Sequence, residues 1–167
     1  LNIEGKDQIR GWWNSQLILS EIKFNKKPFA SILVHGMILD LGKRKMSKSL
    51  GNVISPKDII EKFGRDYLRY YFSRTSKGED FAFDEKEFVE IEKALRILVN
   101  INNFVNQLEK GKKIKIEDKW ILSKLNSLVK KITEAYNNYK YHEAVSALEN
   151  FFVNDLVFSI GQYCPGF

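Results

Sequence analysis

The spacing of apolar and polar residues divides the chain into two parts of different character. Asp7 followed by Ile9, Trp12, Trp13, Leu17, Ile18 and Phe24 is an amphipathic pattern with an acidic residue at the cap position. It predicts a helix of about four turns that Pro28 stops. Residues 31–34 are a short apolar run of the kind buried in a parallel sheet, and residues 37–39 continue into a hairpin-like arm. Ser55-Pro56-Lys57-Asp58 has the chemistry of a helix start, with serine to cap free N–H groups and proline to fit the first turn, and Gly64 ends that helix. Asp66 opens the next, with Tyr67, Leu68, Tyr71 and Phe72 on its apolar face. Residues 75–83, with Gly78 and several acids, read as a connector. From Asp84 long helices are predicted over 84–109, 117–139 and 141–159, separated by Gly111 with a lysine cluster and by a tight turn near Tyr139. Leu95, Leu98, Val99, Ile101, Asn102 and Val105 in the first, and Trp120, Leu122, Leu125, Leu128, Val129 and Ile132 in the second, repeat at helical spacing and read as the two core faces. The expected fold is an α/β unit followed by an α-helical bundle, mostly α in total, with domains 1–80 and 81–167.

Composition narrows the class without fixing it. At 167 residues the chain can bury one good core or two small ones, and 44% apolar against 29% charged residues argues against disorder. The net charge of +6 suits an anionic partner, although many proteins are equally basic. A single cysteine, Cys164, excludes an intramolecular disulfide and a cysteine-rich zinc site, so no protein-bound metal is expected and a reducing cytoplasm is the expected compartment. No apolar run is long enough to cross a bilayer and no signal-peptide pattern opens the chain, so no membrane role is expected.

The chemistry concentrates in Lys43-Arg44-Lys45-Met46-Ser47-Lys48-Ser49-Leu50-Gly51-Asn52, where four cations and two hydroxyls lie between Gly42 and Gly51. Such a run cannot bury itself, because each cation would lose its hydration without a partner. It belongs on a surface loop, where lysines act as point charges for phosphate and serine hydroxyls and loop N–H groups add donors. From charge alone a solvated basic loop is the commoner reading, since such runs usually are just that. Met46 favours a ligand, since a flexible thioether gains little from water and packs well on a flat apolar face such as a purine.

Lys45-Met46-Ser47-Lys48-Ser49 resembles, letter for letter, the KMSKS signature of class I aminoacyl-tRNA synthetases. Around it, Glu4-Gly5-Lys6-Asp7-Gln8-Ile9-Arg10-Gly11-Trp12-Trp13 resembles a segment of the isoleucine branch, with Trp13 where phenylalanine is usual. Val34-His35-Gly36-Met37-Ile38-Leu39-Asp40 is similar to the strand and hairpin that lead into KMSKS in the isoleucine, valine and leucine branches. Gly51-Asn52-Val53-Ile54-Ser55-Pro56 and Phe63-Gly64-Arg65-Asp66-Tyr67-Leu68-Arg69 resemble the family downstream of the loop. The first half of the chain is matched closely and the helical remainder more loosely. The resemblance implies the C-terminal part of a Rossmann-like catalytic domain with its stem-contact helices, then the start of an anticodon-binding domain. Its "HIGH" motif is absent, since His35 and His142 stand in Val-His-Gly and Tyr-His-Glu contexts, and Leu1 is not an initiator methionine. The chain therefore reads as an internal fragment or the second part of a split enzyme, inactive without an N-terminal catalytic half.

What the resemblance implies for the site is ATP-dependent ligation of L-isoleucine to tRNA through an enzyme-bound adenylate, with ATP and Mg2+ as substrate. Lys45 and Lys48 are the catalytic candidates, Lys48 nearest the phosphates. Met46 would lie against adenine, with Ser47 and Ser49 holding the loop and Gly42 and Gly51 letting it move. Glu4, Gly5, Asp7 and Gln8 would line the adenylate pocket, Glu4 near the substrate ammonium, and His35 and Gly36 would stand beside adenosine. Read on its own, Asp7 is equally a helix cap, His35 an ordinary half-buried histidine, and Trp12 and Trp13 core residues. Arg65, Arg69 and Arg74 are the tRNA-phosphate candidates, with Lys110, Lys112, Lys113 and Lys115 as a second basic group, although each also fits a solvated polar face. Phe151-Phe152-Val153-Asn154-Asp155-Leu156 resembles a family helix, but the following Val157-Phe158-Ser159-Ile160-Gly161 departs from it, so no anticodon site is assigned. A valine or leucine enzyme and a non-catalytic RNA-binding module are the alternatives.

Overall fold

The computed structural model describes residues 1–107 and 113–157. Gly111, Lys110, Lys112, Cys164, the departure after Val157 and the outer ends of the helices expected over 84–109 and 141–159 lie outside the described residues. The chain groups into two compact units, one of Leu1–Pro56 with Thr75–Asp84 and one of Lys57–Arg74 with the described residues from Glu85 onward.

In the first unit, β1 (Asn2–Gly5) and β2 (Ile32–His35) pair in parallel, Asn2 opposite Ile32 through Gly5 opposite His35. Parallel neighbours need a crossover of a dozen or more residues, and α1 (Trp12–Phe24) supplies it. The helix expected from Asp7 is broken in two. Lys6–Arg10 forms a 3-10 turn, Gly11 takes a non-helical backbone (φ −117°, ψ −108°), and α1 starts only after it. Its end comes at Asn25, whose left-handed conformation (φ 50°) returns its N–H to the Glu21 carbonyl before Pro28 is reached. Of the two tryptophans expected in the core, Trp13 is buried and Trp12 is 52% exposed. Adjacent helical positions point about 100° apart, so one covering layer shelters only one of them. Ile18, Leu19, Ile22 and Phe24 are exposed as well.

The remaining strands are short. β3 (Ile38–Leu39) pairs in parallel with β4 (Phe81–Ala82), which lies inside the stretch read as a connector, and Leu39 forms an antiparallel bridge with Lys45 that closes the hairpin arm.

The second unit is helical. α2 (Pro56–Phe63) opens on its proline and stops at Gly64 (φ 99°), whose N–H meets the Ile60 carbonyl at 2.9 Å. α3 (Arg65–Thr75) buries Leu68 and Tyr71, and the rings of Phe63 and Tyr71 stack on Phe88 of α4 (Glu87–Val105) at 4.4 and 5.0 Å. α5 (Ile116–Asn137) and α6 (Tyr141–Asn150) are joined by a turn at Tyr139 (φ 57°), and α6 runs on into a π-helical stretch, Phe151–Leu156. Leu128, Ala147 and Phe151 are the buried centre of this part, with Ile121, Ile132, Leu148, Phe152 and Leu156 packed against it. The expected α5 face is thus partly overturned: Leu128 is buried and Ile132 half-buried, whereas Trp120, Leu122, Leu125 and Val129 are exposed. α5 carries apolar residues around much of its girth, so periodicity alone leaves the choice of stripe to tertiary packing. In α4 the buried residues are Phe88, Ile91 and Ile101, while Val99 and Val105 are exposed.

Candidate active site

The basic segment is built on a tight hairpin. The Lys43 N–H donates to the Asp40 carbonyl (2.8 Å) and the Asp40 N–H to the Arg44 carbonyl (3.0 Å), leaving Leu41, Gly42 and Lys43 as the loop, with Lys43 left-handed (φ 58°). This is the three-residue hairpin solution, in which the last loop residue takes positive φ. Asp40 is the buried polar residue at its base, 8% exposed. Its carboxylate accepts the Arg44 N–H (2.8 Å), Arg44 Nε (3.0 Å) and Asn52 Nδ2 (2.9 Å), with Arg44 Nη2 at 2.9 Å. The Asn52 amide first, and the Arg44 N–H next, hold its pKa down to about 2.

Sequence reading counted four cations in this loop, and the structure neutralises one of them, because Arg44 is committed to Asp40. Lys43, Lys45 and Lys48 are exposed and form no ion pair among the described residues. Met46 between them is half-buried. The Ser47 N–H donates to Asn52 Oδ1 (2.9 Å), the Ser47 and Ser49 hydroxyls lie 3.2 Å apart, and a 3-10 turn over Lys48–Leu50 ends at Gly51 with φ 65°. The two glycines therefore differ: Gly51 holds a left-handed position that suits glycine, whereas Gly42 sits within the hairpin loop.

A second group gathers where β1 and β2 end side by side, at the C-terminal edge that parallel sheets use for ligands. A Cβ placed on Gly5 would stand 2.7 Å from Asp7 Oδ1, 3.5 Å from His35 Cε1 and 3.8 Å from Met37 Sδ, so these three side chains converge over Gly5. His35 Nδ1 lies 2.9 Å from the Gly36 carbonyl, which can only accept, so a proton belongs on Nδ1. Glu4 is half-buried opposite Val34. Gln8 donates through Nε2 to Asp7 Oδ2 (3.1 Å) and accepts the Trp12 N–H on Oε1 (3.1 Å), so Gln8, rather than Asp7, serves the start of α1.

Gly36 marks a close backbone approach, since a Cβ there would fall 2.0 Å from the Glu79 backbone carbon and oxygen. Asp80 secures that approach by accepting the Met37 N–H (2.8 Å) and pairing with Lys6 Nζ (2.5 Å). Lys6 first, then the Met37 N–H, hold the Asp80 carboxyl below its usual range. Sequence reasoning missed this pair, and a separation of 74 positions left no local signal for it.

Three arginines stand on α3. Arg65 is exposed, Arg69 is exposed and paired with Asp66 at 3.1 Å, and Arg74 Nε lies 3.7 Å from Glu149 Oε2. Glu149 also accepts the Tyr70 hydroxyl (3.0 Å), and burial, then the Glu149 charge, push the Tyr70 phenol above its ordinary range. Lys113 and Lys115 are exposed, and the Lys115 N–H is capped by Asp118 (2.7 Å).

The family of tRNA synthetases class I (I, L, M and V) matches residues 1–84, half of the chain. The chain belongs to the class I tRNA synthetases. The anticodon-binding domain of tRNA ligases matches residues 118–160 of this synthetase chain. It is 40% identical over 92% of its length to an isoleucine–tRNA ligase of Methanosarcina barkeri, and 41% identical over 91% to that of Archaeoglobus fulgidus. It spans 16% of the length of each of these relatives. Among solved structures, the LeuRS of Agrobacterium radiobacter K84 agnB2, in a ternary complex with tRNA and LeuAMS, superposes on 96% of the chain with a TM-score of 0.75 at 21% identity, and 22% of that chain is covered. The methionyl-tRNA synthetase of Mycobacterium tuberculosis, in complex with methionyl-adenylate, does so on 96% with a TM-score of 0.72 at 22% identity, covering 34% of that chain. Among the described residues of this synthetase chain, no group of three or more His, Cys, Asp or Glu is arranged to hold a metal, and no helix is long and apolar enough to cross a membrane.

Proposed function

We propose that the synthetase carrying this chain attaches isoleucine to its tRNA through isoleucyl-adenylate, in the cytoplasm, together with a first catalytic half outside this chain. The observation that supports this reading best is the identity of about 40% to isoleucine–tRNA ligases over nearly the whole chain. In this reading residues 1–80 are the C-terminal part of the catalytic domain and residues 81–167 begin the anticodon-binding domain. Activation makes the isoleucine carboxylate attack the α-phosphorus of Mg2+-bound ATP while pyrophosphate leaves, so negative charge grows on the phosphates. Lys45 and Lys48 carry ammoniums with no counter-ion among the described residues, and Lys48 meets that charge most directly. Met46 covers adenine, and Ser47 and Ser49 brace the loop. Glu4 attracts the substrate ammonium, Gly5, Asp7 and Gln8 line the adenylate pocket, and His35 with Gly36 borders adenosine. Arg65 and Arg69 are the candidate contacts to tRNA, whereas Arg74 is held by Glu149.

Amino-acid-dependent pyrophosphate exchange by the full-length protein tests the reading. Isoleucine is expected to drive exchange well ahead of valine and leucine. Lys48→Ala is expected to lower it about 10²–10³-fold, the usual loss for one preorganised transition-state contact, with tRNA affinity little changed. The opposite split, with RNA affinity lost and exchange kept, would make the loop a clamp for RNA phosphates.

A further inference from the structure

The ammonium groups of the loop lysines form no ion pair among the described residues, so something other than their own charges must set where they stand. The only side chain among the described residues that bonds to the backbone on both sides of Met46 is Asn52. Its Oδ1 accepts the Ser47 N–H at 2.9 Å and its Nδ2 donates to the Lys45 carbonyl at 3.3 Å. In an extended chain the carbonyl of one residue and the N–H two positions on point to the same side, which is how a neighbouring strand is received. Ser47 is extended (φ −148°, ψ 148°), and the amide of Asn52 takes the place of that missing strand. The same Nδ2 also donates to Asp40 Oδ2 at 2.9 Å, and Asp40 in turn fixes the Arg44 backbone N–H. One planar group thus ties the Lys45–Ser47 backbone to the buried base of the hairpin.

We infer that Asn52, backed by Asp40, is the positioning residue of the loop, holding in one local shape the backbone that carries Lys45 and Lys48 to the phosphates. The inference rests on the ATP reading above. Asparagine is the side chain this role needs. It presents a donor and an acceptor on one short amide, whereas aspartate has no donor and would set a second carboxylate against Asp40, and alanine has neither.

The test uses the full-length protein with two readouts. Hydrogen exchange of the Ser47 amide reports the anchor itself and needs no catalysis. In Asn52→Ala it is expected to quicken roughly 10- to 100-fold, the range for losing one hydrogen bond, while amides of α5 and α6 keep their protection. In pyrophosphate exchange, kcat is expected to fall roughly 10- to 100-fold with the isoleucine KM nearly unchanged, since the loss lies in a contact made as charge develops. Asp40→Asn, which keeps the side-chain shape and removes the carboxylate charge, is expected to lie between wild type and Asn52→Ala in both readouts.

Unchanged Ser47 protection in Asn52→Ala overturns the anchor. Quickened Ser47 exchange with wild-type kcat overturns the positioning role and leaves the ATP reading standing. A rise in isoleucine KM equal to the fall in kcat/KM also overturns it. If the wild-type protein itself performs no isoleucine-dependent exchange, the ATP reading fails and the positioning role with it, whatever the Ser47 amide does.

Discussion

Trp13 is 3% exposed, and its indole N–H has no hydrogen-bond partner among the described residues. Phenylalanine is the usual residue at this place in the family segment that it resembles, and a benzyl ring would bring the same apolar contact without the orphan donor. A buried unsatisfied donor costs about 1–3 kcal/mol, and the smaller ring forfeits about 1 kcal/mol of packing, so the first effect should offset or exceed the second. Trp13→Phe is therefore expected to unfold in urea at the wild-type midpoint or above it, and Trp13→Ala to lose about 3–5 kcal/mol. A phenylalanine variant as unstable as the alanine one would show that the indole N–H is satisfied in solution. Asp40 is a contrasting residue, buried and saturated with donors. Its folded pKa of about 2 lies below the ordinary 3.8, so ionisation supports the hairpin fully above that ordinary value, and the support is lost as pH falls through the folded one.

At the level of elements, α5 has two apolar faces and the fold uses one. Phe151, at the start of the π-helical stretch after α6, and Leu128 of α5 belong to one buried cluster, whereas Trp120 on α5 is 42% exposed. Phe151→Ala is expected to cost about 3–5 kcal/mol, while Trp120→Ala should change stability far less, within about 1 kcal/mol, by denaturant titration. Equal losses would mean that the sheltered face has been assigned wrongly. Much of this architecture was legible in the sequence wherever local chemistry fixes an end: Pro56 and Gly64 around α2, and the turn near Tyr139 before α6. The parallel run at residues 31–34 was legible too, but its partner β1 and the two-residue β4 were not, because so few residues carry no periodicity and their pairing is non-local. In the site, the charges of the loop could be read directly. The amide that anchors it and the Lys6–Asp80 clasp could not, since a hydrogen bond between residues 12 or 74 positions apart leaves no trace in spacing.

For the whole molecule, a net charge of +6 favours a polyanion, but the charge that counts is the part not already neutralised within the fold. On α3 the positions of Arg65 and Arg69 fall about 40° apart around the helix axis, while Arg74 falls about 180° from Arg65, so the three do not share a face. The partners agree with that geometry: Arg74 belongs with Glu149 and the Tyr70 hydroxyl, side chains only a third exposed or less at the ion pair, whereas Arg65 is exposed with no ion pair among the described residues. Phosphate contacts release counter-ions, so each one adds to the steepness with which tRNA affinity falls as salt rises. In the full-length protein Arg65→Ala is expected to weaken tRNA binding and to reduce the slope of log affinity against log salt by about one, without moving the melting temperature. Arg74→Ala is expected to do the reverse, leaving the slope unchanged and lowering the melting temperature, because Glu149 would keep its charge in a partly buried place after losing its cation. A reduced slope for Arg74→Ala with unaltered stability would return that arginine to the RNA-facing surface and make its ion pair with Glu149 a resting contact that tRNA displaces.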